Sequence, residues 1–77
     1  MAKLNSYYYL VDKLDTKTSD AIKKSLKIIP GIEDVRVDLF RGIVEVLSEK
    51  EMEEQVKMAC DVSGALYRTK VKKKDLL

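Results

Sequence analysis

Hydrophobic and polar positions along the chain switch between two periods, and each switch marks an element. Tyr7, Tyr9 and Val11 alternate with Tyr8 and Leu10. A two-residue period carried by aromatic and β-branched side chains predicts a strand, open to extension by Leu4. Ile22, Leu26 and Ile29 then recur at helical spacing, with Ala21 and Ser25 as small neighbours on the same side. The reading is a helix capped by Thr16, Thr18 or Ser19, favoured at its positive end by Asp20, and ended by Pro30-Gly31. Val35, Val37 and Leu39 alternate with Arg36 and Asp38, and Val44 and Val46 alternate with Ile43, Glu45 and Leu47. Phe40-Arg41-Gly42 lies between the two runs, so they form a β-hairpin. Ser48-Glu49-Lys50-Glu51 has the form of a capping box, with Ser48 as the cap. The helix that follows places Met52, Val56, Ala59 and Cys60 on one face and stops at Gly64. Leu66 to Val71 reads as a last strand with Tyr67 and Val71 on one face.

The order β-α-β-β-α-β is the ferredoxin-like split βαβ arrangement. It is an α+β sandwich in which a four-stranded antiparallel sheet carries two helices on one face. The expected organisation is a single domain over residues 1–77, with a core of about 6–71 and a basic tail over 72–77.

Composition changes this picture little. The chain has 77 residues, of which 45% are hydrophobic and 36% charged, and a net charge of +2. Its size suits one small core, its apolar content argues against disorder, and its charge favours no particular partner. No apolar run is long enough to cross a membrane and no signal peptide is expected. One cysteine makes no internal disulfide, which fits a reducing cytoplasm.

Between the first strand and the first helix runs VDKLDTKTSD, with no Cys, His, Met or Gly. The stretch IPGIEDVRVDL from Ile29 to Leu39, followed by GIVEV from Gly42 to Val46, resembles the centre of heavy-metal-associated domains. That family includes copper chaperones and the N-terminal modules of metal-transporting ATPases, and the element lengths match it over about residues 7–71. The resemblance implies a metal held by M-x-C-x-x-C in the first loop. The second cysteine of that motif lies twelve residues before the proline, which is Thr18 here, and the first falls on Asp15. Lys13 or Leu14 takes the methionine position, and the family's Tyr or Lys after the second helix falls near Ala65. Transfer of Cu(I) or Zn(II) needs soft thiolates, whereas a threonine hydroxyl and an aspartate carboxylate are hard ligands. The expectation is a heavy-metal-associated-like domain that lacks the cysteine pair, binds no cofactor, and is not expected to bind metal, although a metal ion held by non-standard ligands stays open.

Other candidate chemistry is thin. Cys60, on the apolar helix face, reads as a small buried hydrophobe and only secondarily as a metal ligand. Met1, Met52 and Met58 are scattered thioethers, and Asp12, Asp15 and Asp20 lack the spacing of a Ca²⁺ loop. With no histidine there is no Ser-His or Cys-His pair, so no enzyme is expected. The basic residues Arg68, Lys70, Lys72, Lys73 and Lys74 read as edge-strand guards and a solvated tail. Nucleic-acid binding is the weakest reading, since the open sheet face offers one aromatic, Tyr8, beside the acidic Glu45.

That open face is the feature singled out. If Tyr9, Val11, Val44 and Val46 face the helices, Tyr8, Leu10, Ile43 and Leu47 face outward as an apolar centre, with Arg36, Asp38, Arg68 and Lys70 around it. An apolar patch with a polar rim points to a protein contact, either a homodimer or a partner. The expected function is therefore a non-catalytic protein-interaction or regulatory module, acting through the sheet face or the first-helix loop. The alternative is a copper- or zinc-binding or metal-transport-associated protein that uses non-standard ligands.

Overall fold

A computed structural model describes residues 3–72. Its elements are β1 (Asn5–Asp12), α1 (Thr16–Lys27), β2 (Ile32–Asp38), β3 (Ile43–Ser48), α2 (Glu53–Ser63) and β4 (Leu66–Val71). The strands form one sheet in the order β2-β3-β1-β4, every neighbour antiparallel. This is the ferredoxin-like architecture expected from the alternation of periods. Met1, Lys73, Lys74 and nearly all of the expected tail lie outside the described residues.

The core lies between the sheet and the two helices. Tyr9, Val11, Val44 and Val46 from the central strands meet Ile22 and Leu26 of α1 and Val56 and Cys60 of α2, all essentially without solvent contact. The strand alternation and the helical spacing thus serve one interior. The Tyr9 hydroxyl reaches the far end of that core, where it accepts a hydrogen bond from the Met52 amide at 3.4 Å. Burial pushes its pKa up to about 12.

Several local expectations are corrected. The cap of α1 is Asp15, not Thr16 or Ser19, and Ser19 is buried. Thr18 takes part from the third helical position rather than as the cap, and Asp20 lies beyond the first turn. Ser48 does not cap α2. It is the last residue of β3, fully buried, and its hydroxyl donates to the Lys50 carbonyl at 2.6 Å. The helix starts later, after Met52, which provides no side-chain cap. Burial of the Met52 side chain in the core sets that start. Glu53 and Glu54 in the first turn complement the helix dipole instead. Leu39 belongs to the hairpin turn rather than to β2, and Leu4 precedes β1 as an exposed residue.

β4 departs from a simple alternation. Its register against β1 runs Tyr9↔Lys70 and Leu10↔Thr69, then jumps to Val11↔Tyr67. Arg68 is the extra residue of this bulge, and a bulge reverses which face later residues share. Tyr67 therefore sits on the helix side with Val11, packed against the core, while Val71 sits beside Tyr8 on the open face. Lys70, placed in the open-face rim from the sequence, is opposite Tyr9 and pairs with Glu51 at 2.7 Å.

Candidate functional site

Three connections meet at one end of the sheet: the β1–α1 loop, the β2–β3 turn and the α2–β4 connection. Lys13 turns the chain out of β1 with a left-handed φ of 61°. Asp15 and Thr18 then bind each other reciprocally. The Thr18 amide donates to Asp15 Oδ1 at 2.8 Å, and the Asp15 amide donates to Thr18 Oγ1 at 2.7 Å. Two amides that the first helical turn leaves without intrahelical partners are satisfied in this way. The Thr18 hydroxyl proton has the Asp15 carbonyl and carboxylate at 3.2 Å as acceptors. The Asp15 carboxyl is exposed, and the hydrogen bond from the Thr18 amide holds it below its usual range.

This donor set does not fit a soft metal ion. A carboxylate and a neutral hydroxyl are hard ligands, and both are committed to starting α1. Among the described residues no three His, Cys, Asp or Glu side chains gather where a metal ion would be held. Cys60 is fully buried, and burial pushes its thiol up to about 11, so it holds almost no thiolate near neutrality. Met52 fills the core, Met58 is exposed on α2, and Ala65 is half-buried.

The open sheet face is more closely covered than expected. Register places Ser6, Tyr8 and Leu10 of β1 beside Leu47, Glu45 and Ile43 of β3, with Asp34, Arg36 and Asp38 on β2 and Thr69 and Val71 on β4. Tyr8, Leu10 and Leu47 are half-buried, but Ile43 is only 7% exposed. Its long neighbours account for this, since Tyr8, Arg36, Arg41 and Glu45 surround it at a shallow hollow of about 220 Å³. Ile43 thus forms the floor of the patch rather than its contact surface. Most charges on or beside the face have partners, Arg36 with Asp34 at 3.6 Å and Arg68 with Asp12 at 3.0 Å. Tyr8 and Glu45 lie side by side in register, yet among the described residues neither side chain makes a hydrogen bond or ion pair.

The most exposed apolar side chains lie elsewhere. Phe40, at the tip of the β2–β3 turn, is wholly exposed. Ile28, Met58 and Val62 are 68–81% exposed on the helix layer. A groove of about 210 Å³ between α1 and α2 is lined by Met58 and Val62 with Ser25, Ile29 and Ala59. The sequence carried a signal for the second group. Met58 and Val62 are four residues apart and fall outside the helical face of Met52, Val56, Ala59 and Cys60.

Two helices on one face of an open four-stranded antiparallel sheet define the class, a ferredoxin-like domain. No protein-family model matches the sequence, and no curated protein matches it. Solved structures do match its fold. The N-terminal domain of ZntA in its apo form superposes with a TM-score of 0.77 at 18% identity, over 87% of this chain and 93% of that one. The CopZ metallochaperone gives 0.74 at 22%, over 83% and 100%. The copper(I)-loaded first domain of the human copper chaperone for SOD1 gives 0.66 at 24%, over 90% and 99%. The chain has the heavy-metal-associated domain fold, and its single cysteine means that it carries no cysteine pair.

Proposed function

We propose that this chain is a non-catalytic protein-interaction or regulatory module on the heavy-metal-associated scaffold, acting without a cysteine-pair metal site. One observation carries the reading. Asp15 and Thr18, the positions that the resemblance aligns with the cysteine pair, are hard ligands engaged in capping α1. Support for a contact role comes from the open face, where Tyr8, Leu10 and Leu47 lie half-exposed over Ile43 within a rim of charges. The metal-handling alternative draws on the names of the structural neighbours, which include a metallochaperone and a copper(I)-loaded domain. The donor set opposes it.

Titration of the reduced protein with Cu(I) and Zn(II) against a competing chelator tests this. The wild type is expected not to compete, and an Asp15→Cys/Thr18→Cys variant to bind one ion. Stoichiometric binding by the wild type that disappears in Cys60→Ser would overturn the proposal and make Cys60 the ligand.

A further inference from the structure

The centre of the open sheet face holds a side-chain donor and a side-chain acceptor that no described residue engages. The Tyr8 phenol is a donor that gains from an acceptor, and an ionised Glu45 carboxylate only accepts. Both are half-buried, they are register partners on β1 and β3, and they are not bonded to each other. The nearby charges on β2 and β4 have partners in the same chain.

We propose that a second copy of this chain covers the open face, related by a two-fold axis that runs along the strands between β1 and β3. The inference rests on the protein-contact reading above and names its partner. Such an axis brings each β1 residue over the β3 residue with which it pairs in register, but on the other copy. Tyr8 of each copy comes over Glu45 of the other, and Leu10 over Ile43. Stacked sheets lie about 10 Å apart, roughly the combined reach of a tyrosine and a glutamate side chain. The hydroxyl therefore donates to the carboxylate twice, once on each side of the axis, as a charge-assisted bond.

Charge at the edges agrees with this orientation. The axis lays β2 over β4 row by row, Arg36 over Val71 and Asp38 over the Thr69 hydroxyl, so that in these rows no carboxylate meets a carboxylate. A two-fold axis across the strands through Glu45 and Tyr8 would instead set Glu45 against Glu45, which like-charge repulsion disfavours. The self-complementary face is what an isologous contact requires. The face measures roughly 20 Å by 20 Å from strand spacing and rise, about 400 Å² per copy, so the interface falls below the standard size, among weak and transient contacts. The dimer is accordingly expected to dissociate in the micromolar range.

Sedimentation equilibrium from about 5 μM to 1 mM tests the proposal, on a scale where each tenfold change in Kd is resolved. The wild type is expected to dimerise. Tyr8→Phe and Glu45→Ala are each expected to raise Kd about tenfold, and the double variant no further than either single one, since both remove the same contact. Met58→Lys, on the helix layer, is expected to leave Kd unchanged. Circular dichroism on each variant confirms that the fold is kept. A dimer that Met58→Lys weakens, or one indifferent to Tyr8 and Glu45, overturns the proposal, as does Tyr8 and Glu45 acting independently. A wild type that stays monomeric throughout overturns the second copy alone. Failure of the underlying reading is seen separately, in the metal titration.

Discussion

Gly42 closes the hairpin against the end of β1, and the cost of replacing it follows from two features of the structure. Its φ is +70°, and a Cβ built on it would lie 2.8 Å from the Val11 carbonyl oxygen. The same residue's carbonyl accepts a hydrogen bond from the Val11 amide at 2.7 Å. Gly64 is the natural control. Its φ is +86°, but a Cβ there meets nothing within 4 Å. Gly64→Ala is therefore expected to cost only the left-handed backbone penalty, about 1 kcal/mol. Gly42→Ala adds a backbone clash that no side-chain rotation relieves. The hairpin must draw back from β1 and stretch the Val11 hydrogen bond, for a further loss of about 1–3 kcal/mol.

The expected total for Gly42→Ala is about 2–4 kcal/mol. A domain of this length has about 4–12 kcal/mol of stability, so a large part of it is at stake. Urea unfolding followed by circular dichroism measures both variants, with Tm as a second readout. A domain of this size shifts by about 4–8 °C per kcal/mol, so Gly42→Ala should melt well below Gly64→Ala. Equal losses in the two variants would refute the reasoning, because the close approach to Val11 would then carry no energy.

Two further outcomes are expected. The folded chain raises Cys60 from 9.0 to about 11 and Tyr9 from 10.0 to about 12, each chiefly by burial. The unfolded chain loses these protons first, so their contribution is complete below pH 9 and is lost as pH climbs from 9 towards 12. Tm should hold to about pH 8.5 and then fall, with Cys60→Ala removing the part of the fall between pH 9 and 11; a Tm flat to pH 11 contradicts the burial argument. The same burial should keep Cys60 unreactive to a disulfide reagent at pH 8 until denaturant is added. Rapid labelling of the native protein would show that α2 exposes it.

The elements that period alone predicts are those whose side chains answer to a single core. Tyr9, Val11, Ile22, Leu26, Val44, Val46 and Val56 are inside as their spacing requires. Misreadings arise where a tertiary demand overrides a local pattern. Ser48-x-x-Glu51 has a capping-box form, yet burying Ser48 at the end of β3 and Met52 in the core moves the helix start beyond it. The bulge at Arg68 carries no Gly or Pro to mark it, so Val71 changes faces unseen. Outward alternation of Ile43 is legible in the sequence, but its shielding by Arg36, Arg41 and Tyr8 depends on side chains brought in from two other strands and a turn.

The position of the candidate site was legible while its present use was not, and the geometry of a helix start explains both. A residue at the cap and another three places on converge wherever an α-helix begins, because the backbone folds one over the other. Here the convergence brings Thr18 Oγ1 to 3.2 Å from Asp15 Oδ1. Two thiolates at such positions would share a metal ion, and an oxygen pair there satisfies the exposed amides instead. Here Asp15 Oδ1 and Thr18 Oγ1 serve the cap of α1. α1 thus begins on hydrogen bonds internal to the chain. Under the proposed function the open sheet face, rather than this turn, is where the scaffold acts.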